Sequence, residues 1–183
     1  MGGRGGNSGM SASALTDTEI QSIKGYTNTA YEAINNWLRL DRDWQNSPLS
    51  NTIENLDSAI AKSSIDSPMT VYRGVSLESL GISDMSQISS LDGVTVVEKG
   101  FMSTSTSSKT AQSFVNKLRY QEDTSGVVVQ VHIPKSRGLA MDVSGISSQG
   151  GYENEILVSR GNAIKYKYAN GVLTGTIIRG GRR

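Results

Sequence analysis

Apolar side chains recur at helical spacing along the first third of the chain. Thr16 and Glu19 stand three residues apart, which is the spacing of a capping box at a helix N-terminus. The apolar positions that follow at intervals of three or four residues are Ile20, Ile23, Tyr26, Ala30, Ile34 and Trp37. The pattern predicts a helix that bends at Gly25, with a second, shorter helix after the loop around Pro48. The apolar positions of that second helix are Ile53, Leu56 and Ile60.

The pattern changes after Pro68 to short runs of β-branched and aromatic residues. Seven such runs, separated by turn residues, read MTVYRGV, GVTVVE, GFMSTS, GVVVQVHI, ENEILV, AIKYKYA and GVLTGTII. They predict seven strands, and the Asn170-Gly171 pair between the last two predicts a tight hairpin. One helix interrupts the strands from Ser108 onward. Its predicted apolar face consists of Ala111, Phe114, Val115 and Leu118.

The order of these elements predicts the fold class and the domain organisation. Helices first and an antiparallel sheet afterwards indicate an α+β fold, because a parallel sheet would need strands that alternate with helices. A length of 183 residues favours one domain. We predict a flexible Gly/Ser-rich tail over residues 1–15 and a single domain over residues 16–180, with a helical part over residues 16–66.

Composition excludes several classes of function. The formal net charge is only +1, so no overall positive field directs the protein to nucleic acid or to a membrane surface. The chain has no cysteine, which excludes disulfides, thiolate metal sites and a cysteine nucleophile. Neither a membrane span nor a signal peptide is predicted, because there is no long apolar run and no basic N-terminal stretch followed by an apolar one.

Two carboxylates stand two positions apart in the segment GGYENEILV. On a strand, Glu153 and Glu155 would project from the same face, with α-carbons about 6.5 to 7 Å apart. Two interpretations are open at this point. The pair could be an ordinary solvated strand end, or it could form one wall of an active site.

Further polar residues with candidate roles occur on other predicted strands. Arg73 lies among strand-forming residues and precedes Gly74, which permits close backbone approach; a salt-bridged strand arginine is the simpler interpretation. The hydroxyls of GFMSTS belong to Ser103, Thr104 and Ser105.

His132 is the only histidine; we interpret it as a strand residue rather than a base, and alone it cannot form a metal cluster. No metal site is predicted.

In series, these motifs resemble the ADP-ribosyltransferase superfamily, specifically its Arg-Ser-Glu branch, which includes the exoenzyme toxins. The resemblance runs from YTNTAYEAINNWLR through TVYRGV, GFMSTS and VHIPKSRGLAMDVSGIS to YENEILV, and so covers most of the chain. It implies a split sandwich of two mostly antiparallel sheets, preceded by helices, with NAD bound in the cleft between them. The superfamily's other branch carries His where this chain has Arg73.

The resemblance implies a role for each motif residue. Glu155 would hold negative charge near the ribosyl cation and hydrogen-bond the ribose. Ser103 would hold Glu155 and the ribose in place. Arg73, with Gly74 beside it, would bind the NAD phosphates. The remaining residues of GFMSTS, Thr104 and Ser105, would belong to the same NAD site, and Ser105 on the same face would support the strand.

The acceptor is implied by the first glutamate of the pair. A protonated guanidinium is a poor nucleophile, so a second carboxylate at Glu153 would orient an acceptor arginine and help to remove its proton. Tyr152, in the loop before the glutamates, would contact the target protein, unless it is a core aromatic. Phe101, Phe114 and Arg119 are weaker candidates for NAD contact, and helical spacing places Phe114 in the core first.

Three functions remain open from the sequence. The first is an NAD-dependent mono-ADP-ribosyltransferase that modifies arginine on a target protein, as an exported or injected effector or as a cytoplasmic, phage-encoded enzyme. The second is an NAD glycohydrolase on the same scaffold, in which water takes the ribosyl group. The third is a catalytically silent, virion-associated structural module, which only the Gly/Arg-rich ends suggest. No nucleic acid partner is predicted.

Overall fold

The computed structural model of the 183-residue chain describes residues 10–12, 14–146 and 154–180. Its four α-helices are α1 (Asp17–Gly25), α2 (Tyr31–Arg39), α3 (Ser50–Ala61) and α4 (Ser108–Glu122). The predicted capping box starts α1, where the Thr16 hydroxyl accepts from the Glu19 amide at 3.2 Å. The irregularity predicted at Gly25 is a π-helical turn, Tyr26–Ala30, that joins α1 to α2. No helix among the described residues has the length and apolar character needed to span a bilayer.

All seven predicted strands are present, together with four short strands that the hydrophobic pattern does not reveal. The strands are β1 (Met10–Ala12), β2 (Ser63–Ile65), β3 (Met69–Ser76), β4 (Thr95–Glu98), β5 (Met102–Ser105), β6 (Gly126–Ile133), β7 (Ser136–Arg137), β8 (Ala140–Asp142), β9 (Glu155–Val158), β10 (Asn162–Ala169) and β11 (Val172–Ile178). Within the predicted tail, β1 is a strand that pairs with β2. The hairpin between β10 and β11 turns at Asn170 and Gly171, both with positive φ, as the sequence predicts.

The strands form a three-stranded sheet, β1-β2-β7, and an eight-stranded sheet in the order β4-β10-β11-β6-β3-β5-β9-β8. Every pairing in the larger sheet is antiparallel except that of β6 with β11. Its two parts are joined by a single pairing, Tyr72 with Ser105, between β3 and β5. Beyond that pairing, β3 stays with β6 and β5 stays with β9, so the large sheet divides into a five-stranded and a three-stranded part. This arrangement confirms the predicted α+β split sandwich.

The core consists of two apolar clusters on opposite faces of β5 and β9. Met102, Ile156 and Val158 face the cluster between the two parts of the large sheet. Leu157 faces the second cluster, which the helices supply with Ile23, Tyr26, Ile34, Ile53, Leu56 and Ile60. The three-stranded part is therefore covered on both sides, and the N-terminal helices are fixed against the face that also carries Ser103 and Glu155.

One prediction about the core is wrong. Phe114 of α4 was expected to be buried, but its side chain is 45% exposed. The buried face of α4 is centred on Ala111 and Leu118, two turns apart. Phe114 lies beside that line, and its Cδ1 would be 3.2 Å from a β-carbon added at Gly74 of β3. The helix uses its small residue, rather than its aromatic one, for the closest contact with the sheet.

Candidate active site

The pairing of β5 with β9 places three of the predicted site residues on one face. Ser105 is paired with Glu155 and Ser103 with Leu157. Directly paired residues of an antiparallel ladder point to the same side, and alternate residues share a face. The Ser103, Ser105 and Glu155 side chains therefore project together toward the N-terminal helices.

Glu155 is held in a buried position at the start of β9. It is only 4% exposed, and its carbonyl oxygen accepts a hydrogen bond from the Val143 amide at 3.0 Å. The preceding residue, Asn154, has a φ of +43°, and its carbonyl accepts from the Thr106 amide at 3.1 Å. These contacts fix the first residue of β9 and the residue before it. Because a buried carboxylate is shielded from water, its charge acts more strongly on a neighbouring group than a surface carboxylate would.

The two serines of β5 differ in their surroundings. Ser103 is exposed, whereas Ser105 is buried and its hydroxyl accepts from the Ser107 amide at 3.0 Å. Ser105 therefore helps to shape the turn between β5 and α4. Ser103 is the more accessible of the two, and it lies on the same face as Glu155.

Thr104 lies on the opposite face of β5, in the core. It is 4% exposed, and its hydroxyl donates to the carbonyl of Ile156 at 2.7 Å. The structure therefore does not bring Thr104 together with Ser103 and Glu155. Its hydroxyl fastens β5 to β9, and so keeps the two strands in the register that aligns the site.

Gly74 is where α4 approaches β3 most closely. A β-carbon added at Gly74 would lie 2.5 Å from the backbone oxygen of Ala111 and 3.1 Å from Val115. The close backbone approach predicted for this glycine is thus made by a helix of the same chain. Gly74 leaves room for α4 beside Arg73.

Arg73 forms an ion pair within the protein. Its Nη1 lies 3.6 Å from Oε2 of Glu98, and its side chain is 21% exposed. Burial raises the pKa of Glu98, but hydrogen bonds from Arg39 and the charges of Arg73 and Arg39 outweigh it and hold that pKa below its usual range. The carboxylate is therefore ionised at neutral pH, and the cluster of two guanidiniums and one carboxylate retains one net positive charge.

Tyr26 is a buried residue close to the predicted serine, arginine and glutamate positions, and the sequence interpretation missed it. The tyrosine is fully buried in the π-helical turn. Burial raises the pKa of its phenol; the neighbouring Ser103 hydroxyl and Arg73 charge lower it, and the Glu155 charge raises it. The phenol is therefore within electrostatic reach of all three predicted residues.

A buried amide holds Tyr26 in place. Asn35 of α2 donates to the Tyr26 hydroxyl at 2.9 Å, and its own oxygen accepts from the Phe101 amide at 2.9 Å. Helical spacing identifies Tyr26 only as an apolar position, and nothing in the pattern distinguishes Asn35 from its neighbour Asn36. The one available signal is that π-helical turns are frequent at functional sites, and that signal is structural.

The remaining described candidates are Phe101, Arg119 and His132. Phe101 is fully buried and contacts the Tyr26 ring edge-on, with centroids 5.7 Å apart. Arg119 is exposed on α4. His132 lies half-buried on β6, as interpreted, with Nδ1 3.0 Å from the Thr70 hydroxyl. Glu153 and Tyr152 lie outside the described residues, and the described ranges contain no group of three or more side chains that could hold a metal.

The arrangement combines three capabilities. A buried carboxylate can stabilise positive charge that develops on a substrate. An exposed hydroxyl beside it can orient that substrate, and a half-buried guanidinium can bind an anionic group such as a phosphate. This combination suits a substrate that carries both a phosphate and a centre that becomes cationic during the reaction.

Comparison with known proteins gives consistent matches along most of the chain. A family model described as ADP-ribosyltransferase exoenzyme matches residues 6–177. An NAD(+)--arginine ADP-ribosyltransferase of Enterococcus faecalis, EFV, is 31% identical over 166 residues, which cover 90% of this chain and 31% of that protein. The chain thus spans about a third of the length of this relative.

Solved structures of similar fold come from bacterial toxins and exoenzymes. Plx2a, an ADP-ribosyltransferase toxin from Paenibacillus larvae, is 24% identical with a TM-score of 0.69, over 90% of this chain and 88% of that one. C3stau2 from S. aureus, solved with NAD, is 18% identical with a TM-score of 0.67, over 90% and 88% of the two chains. These likenesses show that the fold is shared.

Proposed function

Because the chain belongs to the ADP-ribosyltransferase exoenzyme family, we propose that it transfers ADP-ribose from NAD to an arginine of a target protein and releases nicotinamide. The observation that carries the proposal is the shared face of β5 and β9. There a buried carboxylate, Glu155, shares a face with Ser103, and the Tyr26 phenol lies within electrostatic reach of both and of Arg73.

The buried carboxylate suits the bond that must break. As the bond between ribose and nicotinamide lengthens, its electron pair leaves with nicotinamide and positive charge develops on the sugar. A fixed negative charge at Glu155 lowers the energy of that state, and its hydrogen bonds with the ribose hold the substrate against Ser103. Arg73 supplies the positive charge that binds the diphosphate.

The acceptor step needs a second carboxylate. A nitrogen of the acceptor guanidinium attacks the ribosyl carbon, and the new C–N bond leaves an excess proton on the guanidinium. Glu153 takes that proton, and Tyr152, the residue before it in sequence, contacts the target protein. The support is the Glu-x-Glu spacing, together with similarity to a relative named as an arginine ADP-ribosyltransferase.

The organisation and setting of the protein follow from the same proposal. Residues 16–180 form the catalytic domain, in which the N-terminal helices cover the face that carries Ser103 and Glu155. The target protein belongs to another cell or a host, which the toxin relatives favour. The enzyme is then an exported or injected effector, or a cytoplasmic one if a phage encodes it.

A labelling experiment tests the proposal. The 183-residue chain is incubated with a tagged NAD and with bacterial or eukaryotic lysate, while nicotinamide release is followed in parallel. We compare wild type with Glu155→Gln and Glu153→Gln, and use Glu54→Gln on an exposed turn of α3 as the matched control. We expect discrete labelled bands with wild type and the control, and none with the two glutamate variants. Hydroxylamine should remove the label from these bands, as it does from other arginine-linked ADP-ribose.

The two glutamate variants separate the alternatives. Loss of nicotinamide release in Glu155→Gln, with release retained but labelling lost in Glu153→Gln, supports the division of roles. Nicotinamide release without any labelled protein in wild type would make the chain a glycohydrolase toward these lysates. No turnover of NAD by wild type would contradict the enzyme proposal and favour a structural module.

A further inference from the structure

Glu98, the last residue of β4, joins three elements around the site. Its carboxylate accepts from Nε and Nη2 of Arg39 in α2, at 3.0 and 3.2 Å. It lies 3.6 Å from Nη1 of Arg73 in β3. It also accepts from the amide of Gly100 at 2.8 Å, two residues before β5 begins. One side chain therefore contacts the helix, the arginine strand and the approach to the serine strand.

The two arginines bind this carboxylate in different ways. Arg39 makes a bidentate contact, the geometry in which guanidinium and carboxylate hold each other most firmly. Arg73 makes one longer contact, which is its only ion pair within the part of the chain that the structure describes. Arg39 therefore fixes the carboxylate, and the carboxylate in turn restrains Arg73 while leaving most of its five donors for another partner.

The cluster is partly buried, and this strengthens the interactions between its charges. The Glu98 side chain is 16% exposed and that of Arg73 is 21% exposed, whereas Arg39 reaches the surface at 40%. Without the carboxylate, two guanidiniums would face each other in a partly desolvated space, and each would turn away from the other. The direction of Arg73 would then no longer be fixed before a substrate arrives.

We propose that Glu98 is a positioning residue that holds Arg73 in the direction from which it binds the NAD diphosphate. The inference rests on the proposed function, and it assigns to Glu98 a role in substrate affinity rather than in bond breaking. Arg39 in turn keeps the Glu98 carboxylate in place. The cluster has one net positive charge, and the Arg73 side chain is already oriented before NAD binds.

The test compares the dissociation constant of NAD, measured by calorimetry, with kcat and KM for nicotinamide release. Glu98→Gln removes the charge but keeps the shape. We expect a dissociation constant and a KM about tenfold to a hundredfold higher than in wild type, with kcat changed far less. Asp57→Asn is the matched control, because it removes a carboxylate from another bidentate pair, with Arg160 at 2.7 to 3.1 Å. The control should lose stability without a change in the affinity for NAD.

A double-mutant cycle decides whether Glu98 acts through Arg73. In an Arg73→Ala background, Glu98→Gln should weaken NAD binding little further, because the side chain that it positions is already gone. Full additivity would overturn the proposal, and so would a Glu98→Gln variant that binds NAD as well as or better than wild type. If Glu98→Gln does not fold, the double variant Arg39→Gln/Glu98→Gln removes the pair together and carries the same expectation. A wild-type chain that neither binds nor turns over NAD would instead contradict the proposed function on which the inference rests.

Discussion

Gly74→Ala is predicted to destabilise the protein by about 1 to 2 kcal/mol. The added β-carbon would lie 2.5 Å from the Ala111 backbone oxygen, whereas such carbon–oxygen contacts are normally about 3.3 Å or longer. The obstacle is backbone, so α4 as a whole must move by about 0.8 Å to relieve the contact. Overpacking of this kind costs about 1 to 3 kcal/mol, and the reduced freedom of the unfolded chain returns about 0.4 to 1 kcal/mol.

Gly25→Ala provides a control with the opposite sign. Gly25 has helical φ and ψ of −62° and −45°, and an added β-carbon would meet nothing within 4 Å. Alanine at a helical position is more favourable than glycine by about 0.5 to 1 kcal/mol. The same chemical change should therefore stabilise one site and destabilise the other.

Urea unfolding of the two variants beside wild type measures both effects, and thermal unfolding gives a second reading. A change of 1 kcal/mol should shift Tm by about 2 to 4 °C for a chain of this size. A Gly74→Ala variant as stable as wild type, or shifts of stability in the same direction for Gly25→Ala and Gly74→Ala, would contradict the close packing of α4 on Gly74.

Three further substitutions test other parts of the structure. Thr104→Val removes the hydroxyl that donates to Ile156 and should lower the free energy of unfolding by about 1 kcal/mol in urea titrations; an unchanged midpoint would contradict this role. Tyr26→Phe leaves a buried amide without its acceptor and should cost about 1 to 3 kcal/mol by the same measurement, so a neutral result would refute it. For Glu19, burial raises the pKa, but hydrogen bonds, the largest from Lys62, outweigh it and hold the pKa below the ordinary 4.5. Its contribution is therefore present above pH 4.5 and is lost as pH falls through the lower folded value. The stability gap between wild type and Glu19→Gln should narrow between about pH 7 and about pH 3, and a gap that widens would contradict the sign.

The sequence predicts the elements well because most of them follow a single strong pattern. The capping box at Thr16, the helix from Ser108 and the Asn170-Gly171 hairpin are local signals, and each is found where it was predicted. The short strands β1, β2, β7 and β8 could not be predicted, because two or three residues are too few for a period and their pairing is set by distant parts of the chain.

The candidate site also contains residues that the sequence predicts and residues that it does not. Ser103 and Glu155 lie in recognisable motifs, and strand alternation suffices to place each on a face. Glu98 and Asn35 escaped detection because their importance comes from contacts with residues far away in sequence, such as Arg39 to Glu98 across 59 positions. The prediction for Phe114 is wrong because helical spacing shows only which face of a helix is apolar. It does not show that Gly74 lets α4 approach β3 through the small residue Ala111.

The most direct single measurement is the rate of nicotinamide release from NAD by Glu155→Gln. The substitution keeps the shape of the buried side chain and removes its charge, so a folded variant isolates the electrostatic role. Glu78→Gln, at an exposed position, serves as the control. The proposed mechanism predicts a fall of about a hundredfold to a thousandfold in kcat for Glu155→Gln, with the control unchanged. A Glu155→Gln variant that releases nicotinamide at the wild-type rate would contradict it.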